Sequence, residues 1–148
     1  MRFQTVRASR RTVPTLGLLA AALLGTAVAT PAAAAADSSF HTPSKRIYCQ
    51  YTAHAPFLRC DVNFETRFTH RPRWCHFGWG NSFGVRASGR ASVLCVSDSV
   101  YSPAAKVIPY GAIRHYGPFT CTSRPTGLRC KNQQGHGFQL SRSQQTLF

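Results

Sequence analysis

The densest run of chemically capable side chains is Arg67-Phe68-Thr69-His70-Arg71-Pro72-Arg73-Trp74-Cys75-His76-Phe77-Gly78-Trp79, in which cations and aromatics interleave. Guanidinium groups clamp phosphates, sulfates or carboxylates, and flat rings stack on bases or sugars. Arg67, Arg71, Arg73, Trp74, His76 and Trp79 are therefore the candidate contacts for an anionic ligand. The competing expectation is a loop whose aromatics pack over a disulfide at Cys75 and whose arginines are merely solvated. Exposure of Trp74 and Trp79 decides between the two.

Catalysis asks for more: a base, an acid or nucleophile, and a group that stabilises charge, all in one cleft. The chain has four carboxylates, Asp37, Asp61, Glu65 and Asp98. Asp61 and Glu65 are expected on the outward face of a strand, in solvent, and Asp98 in Ser97-Asp98-Ser99 as a turn residue bonded to its own backbone. Glu65, His76 and His136 with neighbouring arginines would suffice for phosphodiester cleavage if they converged, but their spacing does not join them. The histidines at 41, 54, 70, 76, 115 and 136 are scattered, and no Cys-x-x-Cys pair exists. No metal site and no cofactor are expected. Gly135-His136-Gly137 reads as a tight turn before a strand.

The elements that position these groups are strands. Leu58-Arg59-Cys60-Asp61-Val62-Asn63-Phe64-Glu65 alternates apolar and polar, the period of a strand with one face buried, so Leu58, Cys60, Val62 and Phe64 should point inward. Ile47 and Cys49 share a face upstream, and Ala53-His54-Ala55-Pro56 interrupts as a turn would, so residues 46–65 form a hairpin. The plan recurs later: Phe119 and Cys121 echo Ile47 and Cys49, Arg124-Pro125-Thr126-Gly127 turns, and Leu128-Arg129-Cys130 repeats Leu58-Arg59-Cys60.

Cysteines facing each other across an antiparallel pair lie close enough to bond. Of the 15 connectivities that six cysteines allow, the two hairpins favour Cys49 with Cys60 and Cys121 with Cys130, leaving Cys75 with Cys95. Residues 91–97 are expected to form a central strand and Phe138-Gln139-Leu140 a last one. Glycines and prolines punctuate the remainder too often for an amphipathic helix. The fold class is mostly β: a small disulfide-stapled antiparallel sandwich or barrel built around two hairpins.

Two further features bound the class of protein. Arg2, Arg7, Arg10 and Arg11 precede an apolar run from Leu16 to Val28, closed by Pro31 and the alanines Ala32 to Ala36. That order is an export signal, and the run is shorter than the roughly 20 residues a permanent membrane helix needs. Residues 1–36 are expected to be removed, leaving residues 37–148 as a single secreted β domain, monomeric and without a membrane anchor. Six cysteines in so small an exported domain imply an oxidising compartment. Of 18 Lys and Arg, 14 remain after residue 36 against the four acids, a net charge of +10. Such a domain approaches polyanions quickly and binds them in a salt-sensitive way. The partner class so favoured is an extracellular or cell-envelope anionic polymer or a nucleic acid, bound without catalysis. The alternative is a small secreted hydrolase of nucleic acid or another anionic polymer.

With the cysteines placed, the pattern resembles a family of small exported actinobacterial six-cysteine proteins catalogued as a domain of unknown function. The residues that carry the resemblance run from Phe40-His41-Thr42-Pro43-Ser44-Lys45-Arg46-Ile47-Tyr48-Cys49 through Leu58-Arg59-Cys60-Asp61-Val62 and Ile108-Pro109-Tyr110-Gly111. They continue through Phe119-Thr120-Cys121 and Gly127-Leu128-Arg129-Cys130-Lys131-Asn132 to Gly135-His136-Gly137-Phe138-Gln139-Leu140-Ser141-Arg142. The resemblance brings no activity, cofactor or catalytic residue with it. This chain departs from the pattern at Lys45-Arg46, where a small residue and asparagine are usual, and in the basic character of residues 67–79.

Overall fold

A computed structural model describes residues 37–148. The expected export signal, residues 1–36, lies outside the described residues. All the regular elements described are strands, and they form two sheets, each stapled by one internal disulfide, with a third disulfide outside the strands.

The first sheet is built on the alternating segment the sequence marks most clearly. β1 (Ser38–His41), β2 (Ile47–Thr52), β3 (Phe57–Val62), β4 (Ser82–Arg86) and β5 (Ser92–Val93) pair antiparallel in succession, each with the next. Leu58 and Cys60 are fully buried and Val62 nearly so, while Phe64 packs on the core from beyond the end of β3. A short β6 (Lys106–Val107) joins the far edge, parallel to β1. The second sheet repeats the succession: β7 (Ile113–Tyr116), β8 (Phe119–Arg124), β9 (Gly127–Lys131), β10 (Gly137–Leu140) and β11 (Gln145–Leu147).

The correspondence reaches individual residues. Cys49 lies opposite Cys60 in β2 and β3, and Cys121 opposite Cys130 in β8 and β9, and both pairs are bonded. The third bridge joins Cys75 to Cys95, so no cysteine is free. Cys60 faces Phe83 and Leu58 faces Val85 across β3 and β4, just as Cys130 faces Phe138 and Leu128 faces Leu140 across β9 and β10. Three bridges suit an oxidising environment.

The inner faces of the two sheets share one core. Phe83 and Phe138, equivalent in the two halves, meet across it with ring centroids 6.4 Å apart. Phe40 stacks on Tyr116 at 4.2 Å, and Tyr51 meets Phe119 edge-on at 6.0 Å. These contacts make the fold a sandwich of two separate sheets; the barrel expected as its equal does not close.

Three expectations need correction. Residues 91–97 do not form a central strand: only Ser92 and Val93 pair, at the edge, with Val96 adding a single bridge to Gly78. The place beside β3 belongs to β4, whose glycine Gly84 hid it in the sequence. There a side chain would collide with the ring of Phe57, so glycine is what lets that ring lie over the sheet. The strand at Phe138 is not the last, because β11 follows it. Asp61 does point outward, but its side chain is only 13% exposed.

The reason for that burial is a strap of the chain's own residues. Arg59 donates from Nε and Nη2 to Asp61 at 2.9 and 3.0 Å, and from Nη1 and Nη2 to the carboxylate and carbonyl of Asp98 at 2.8 and 2.6 Å. Val100 then donates its backbone N–H to Asp61 at 2.9 Å, and Tyr101 leans on Tyr48. Asp98 keeps a bond to its own backbone, as a turn residue does, and also holds the strap to the sheet. Burial opposes the charge on Arg59, but its hydrogen bonds to Asp61 and Asp98 outweigh this and raise its pKa; the same bond from Arg59 lowers that of Asp98.

Candidate functional site

Residues 63–81 form the long loop that carries the aromatic and cationic run, and its ends are tied down. Thr66 donates its hydroxyl to the carbonyl of Gly80 at 2.7 Å, Asn81 donates to the carbonyl of Phe64 at 2.9 Å, and the Cys75–Cys95 bridge anchors the middle. Arg67, Arg71, Arg73 and His76 are all exposed. Trp74 is 66% exposed and stands edge-on to Trp79, 5.7 Å away, while Trp79 is half-buried. Of the aromatics of this loop, Trp74 and Phe77 therefore stand in solvent, while Trp79 is half-buried and Phe68 packs against Phe83 of the core. A flat ring held in water beside arginines is the arrangement that stacking ligands use.

A cavity that the sequence reading missed lies elsewhere. It has a volume of about 500 Å³, within the usual span of ligand sites. It opens at the end of the sandwich where three turns meet: β1–β2, β8–β9 and β10–β11. Each turn contributes one arginine, Arg46, Arg124 and Arg142, with hydroxyls from Thr42, Ser44, Thr126, Ser141 and Ser143. Phe64 and Tyr110 supply the aromatic part of the wall. No Asp, Glu or His lines the cavity. Among the described residues none of the three guanidinium groups makes an ion pair, the only such pairs being those of Arg59.

The turns that present these arginines are braced. In the first, Thr42 is almost fully buried, its N–H donates to the carbonyl of Ile47 at 3.1 Å, and its carbonyl accepts from Lys45 N–H at 2.9 Å. That closure places Lys45 at φ 55°, a left-handed conformation costly for a side-chain-bearing residue. The second turn relies on Gly127 at φ 132°, where a side chain would strike the carbonyl of Leu140. In the third, Ser141 donates its N–H to the carbonyl of Gln144, Gln144 donates its N–H back to the Ser141 hydroxyl, and buried Gln145 donates to the carbonyl of Ser141. The Oε1 of Gln145 also accepts Arg67 N–H at 2.9 Å. One buried amide thus ties the rim of the cavity to the start of the aromatic loop.

Chemically, three guanidinium groups, several hydroxyls and two rings make a receiver for an anion with a flat or sugar-like body. A recurring signal in the sequence could have found it: each of the three turns sets an arginine beside a hydroxyl, as Ser44-Lys45-Arg46, Arg124-Pro125-Thr126 and Ser141-Arg142-Ser143. The hydrolytic set fares differently. Glu65 and His76 are exposed on the long loop, and His136 sits in the β9–β10 turn with its N–H donated to Asn132 Oδ1. No hydrogen bond or ion pair joins them, and among the described residues no cluster of His, Cys, Asp and Glu is arranged to hold a metal.

Comparison with curated proteins and with solved structures finds no match to this chain. A match does cover residues 22–148, nearly all of the sequence, and by it the chain belongs to the family of unknown function DUF6636.

Proposed function

We propose that this is an exported binding domain, freed of its first 36 residues, that holds an extracellular or cell-envelope anionic polymer without transforming it. The observation that carries the reading is the cavity of about 500 Å³ with arginines on three turns and no carboxylate in its wall. Where the like-charged groups of three braced turns face one space, their field concentrates on whatever enters it. An anion supplies the missing charge. The absence of carboxylate and imidazole from the lining leaves no ordinary general acid or base there, which favours holding over hydrolysis.

A polymer fits better than a small ion because a second basic surface adjoins the cavity. From Phe64 in its wall the chain runs to Arg67, fastened by Gln145, and on to Arg71, Arg73, Trp74, His76 and Trp79. An anionic chain seated on Arg46, Arg124 and Arg142 would continue along this loop, its rings or sugars against Trp74. Export is supported by the arginine-headed apolar segment at the N-terminus and by three disulfides suited to an oxidising space.

The test is calorimetric titration with a defined heparin oligosaccharide as the polyanion. An R46Q/R124Q/R142Q variant should lose most of the affinity. A charge-matched R90Q/R114Q/K106Q variant, altered at exposed positions outside the cavity, should lose little. Equal losses would reduce the cavity to one part of a diffuse charge. Cleavage of the probe by the purified protein would replace the binding reading with a hydrolytic one.

A further inference from the structure

The two halves of the sandwich repeat one plan, yet only one of them has its outer face covered. In the first sheet Arg59 and Asp61 project outward from β3, and the strap Asp98 to Tyr101 lies over them. The equivalent pair in the second sheet is Arg129 and Lys131, following Leu128 and flanking Cys130 as Arg59 and Asp61 follow Leu58 and flank Cys60. Both are exposed. The side chain of Arg59 is 12% exposed and bonded to two acids, whereas Arg129 makes no ion pair among the described residues. Its guanidinium lies 3.9 Å over the ring of Phe148, which holds it on the sheet as a flat donor surface.

We infer that the outer face of the second sheet is a docking strip for an extended acidic segment of a partner protein, in the way that the first sheet takes its own strap. Asp98 is the internal model of that ligand: its carboxylate meets Nη1 and its carbonyl meets Nη2 of Arg59. Two residues further on, Val100 offers an N–H to Asp61. In the second sheet Lys131 stands in the place of Asp61, so the group that meets it must accept a bond or carry negative charge. The partner therefore presents two carboxylates, at positions two residues apart, one for Arg129 and one for Lys131. Thr122, opposite Arg129, and Thr120, opposite Lys131, add hydroxyls along the same rows. A peptide is favoured over a glycan or nucleic acid because the covered half shows the site filled by peptide carbonyl and N–H as well as by carboxylate.

The experiment uses a peptide copy of Ser97–Tyr101 with Val100→Glu as the probe, followed by amide chemical shifts of the protein at low salt. A control peptide carries Asp98→Asn and keeps the valine. Shifts should centre on Thr120, Thr122, Arg129 and Lys131, with the control binding more weakly. Arg129→Gln should weaken the acidic probe about fivefold, the upper range for one exposed ion pair. Lys131→Asp, which gives Arg129 the internal partner that Arg59 has, should abolish the response without unfolding the sheet. R46Q/R142Q should leave it unchanged, separating this strip from the arginine cavity. Shifts at the cavity alone, indifference to Arg129→Gln, or the same shifts produced as strongly by a heparin oligosaccharide would overturn the assignment.

Discussion

Removing the Cys75–Cys95 bridge by Cys75→Ala with Cys95→Ala should destabilise the domain and release the loop that carries Trp74. The bridge closes a sequence separation of 20 residues. Chain-entropy reasoning assigns such a closure about 3.3 kcal/mol at 25 °C, against about 2.8 and 2.6 kcal/mol for the two hairpin bridges, whose separations are 11 and 9. Residues 37–148 number 112, and at the usual unfolding entropy per residue that loss lowers the melting temperature by about 14 °C. The assay is urea denaturation followed by tryptophan fluorescence. It reports on the loop directly, because Trp74 and Trp79 are the only tryptophans in the chain. In the variant, emission should shift before the sheets unfold, since the hairpin bridges hold paired strands while this one holds a loop to an edge. A stability loss below about 1 kcal/mol, with emission unchanged in native buffer, would refute the reasoning that this bridge fixes the loop.

Other consequences of the architecture are open to measurement. Phe83→Ala removes a fully buried ring at the junction of the sheets and should cost about 3–5 kcal/mol by denaturation; Phe138→Ala should match it, and the double variant should cost less than their sum. Because Arg59 lowers the pKa of Asp98, the strap contributes stability above the ordinary carboxylate value of 3.8 and loses it as pH falls through the depressed folded value. The amide signals of Asp98 and Ser99 should follow that acid transition and no longer do so in Asp98→Asn. Burial pushes the Tyr116 hydroxyl up to about 12, so its part of the stability is intact below pH 10 and declines between 10 and about 12. Ultraviolet difference titration against Tyr116→Phe should isolate that late ionisation.

The hairpins were legible because both their signals are local. Alternation from Leu58 onward and the repeated Leu-Arg-Cys block each specify a strand and its inner face within a few residues, and facing cysteines follow from the pairing. β4 was not legible, because its glycine serves a neighbour on another strand, the ring of Phe57, and that need is invisible along the chain. Asp61 was misread for a related reason. Alternation gives the face a side chain takes, but only the fold shows that another segment covers that face. The arginine cavity illustrates the limit most fully. Its cations stand at 46, 124 and 142, distant in sequence and brought together by three turns at one end of the sandwich. The aromatic loop could be picked out because its residues are contiguous, and the exposure of Trp74 is what the structure adds to it.

The most direct test of the binding account is to titrate the protein with the heparin oligosaccharide across a range of salt and compare it with R46Q/R124Q/R142Q. Each cation that displaces a counterion steepens the fall of log affinity against log salt by about 0.7, so the triple variant should have a slope shallower by about 2. Residual salt dependence is expected from Arg67, Arg71 and Arg73. A slope and affinity unchanged by the three substitutions would contradict the claim that the cavity holds the anion.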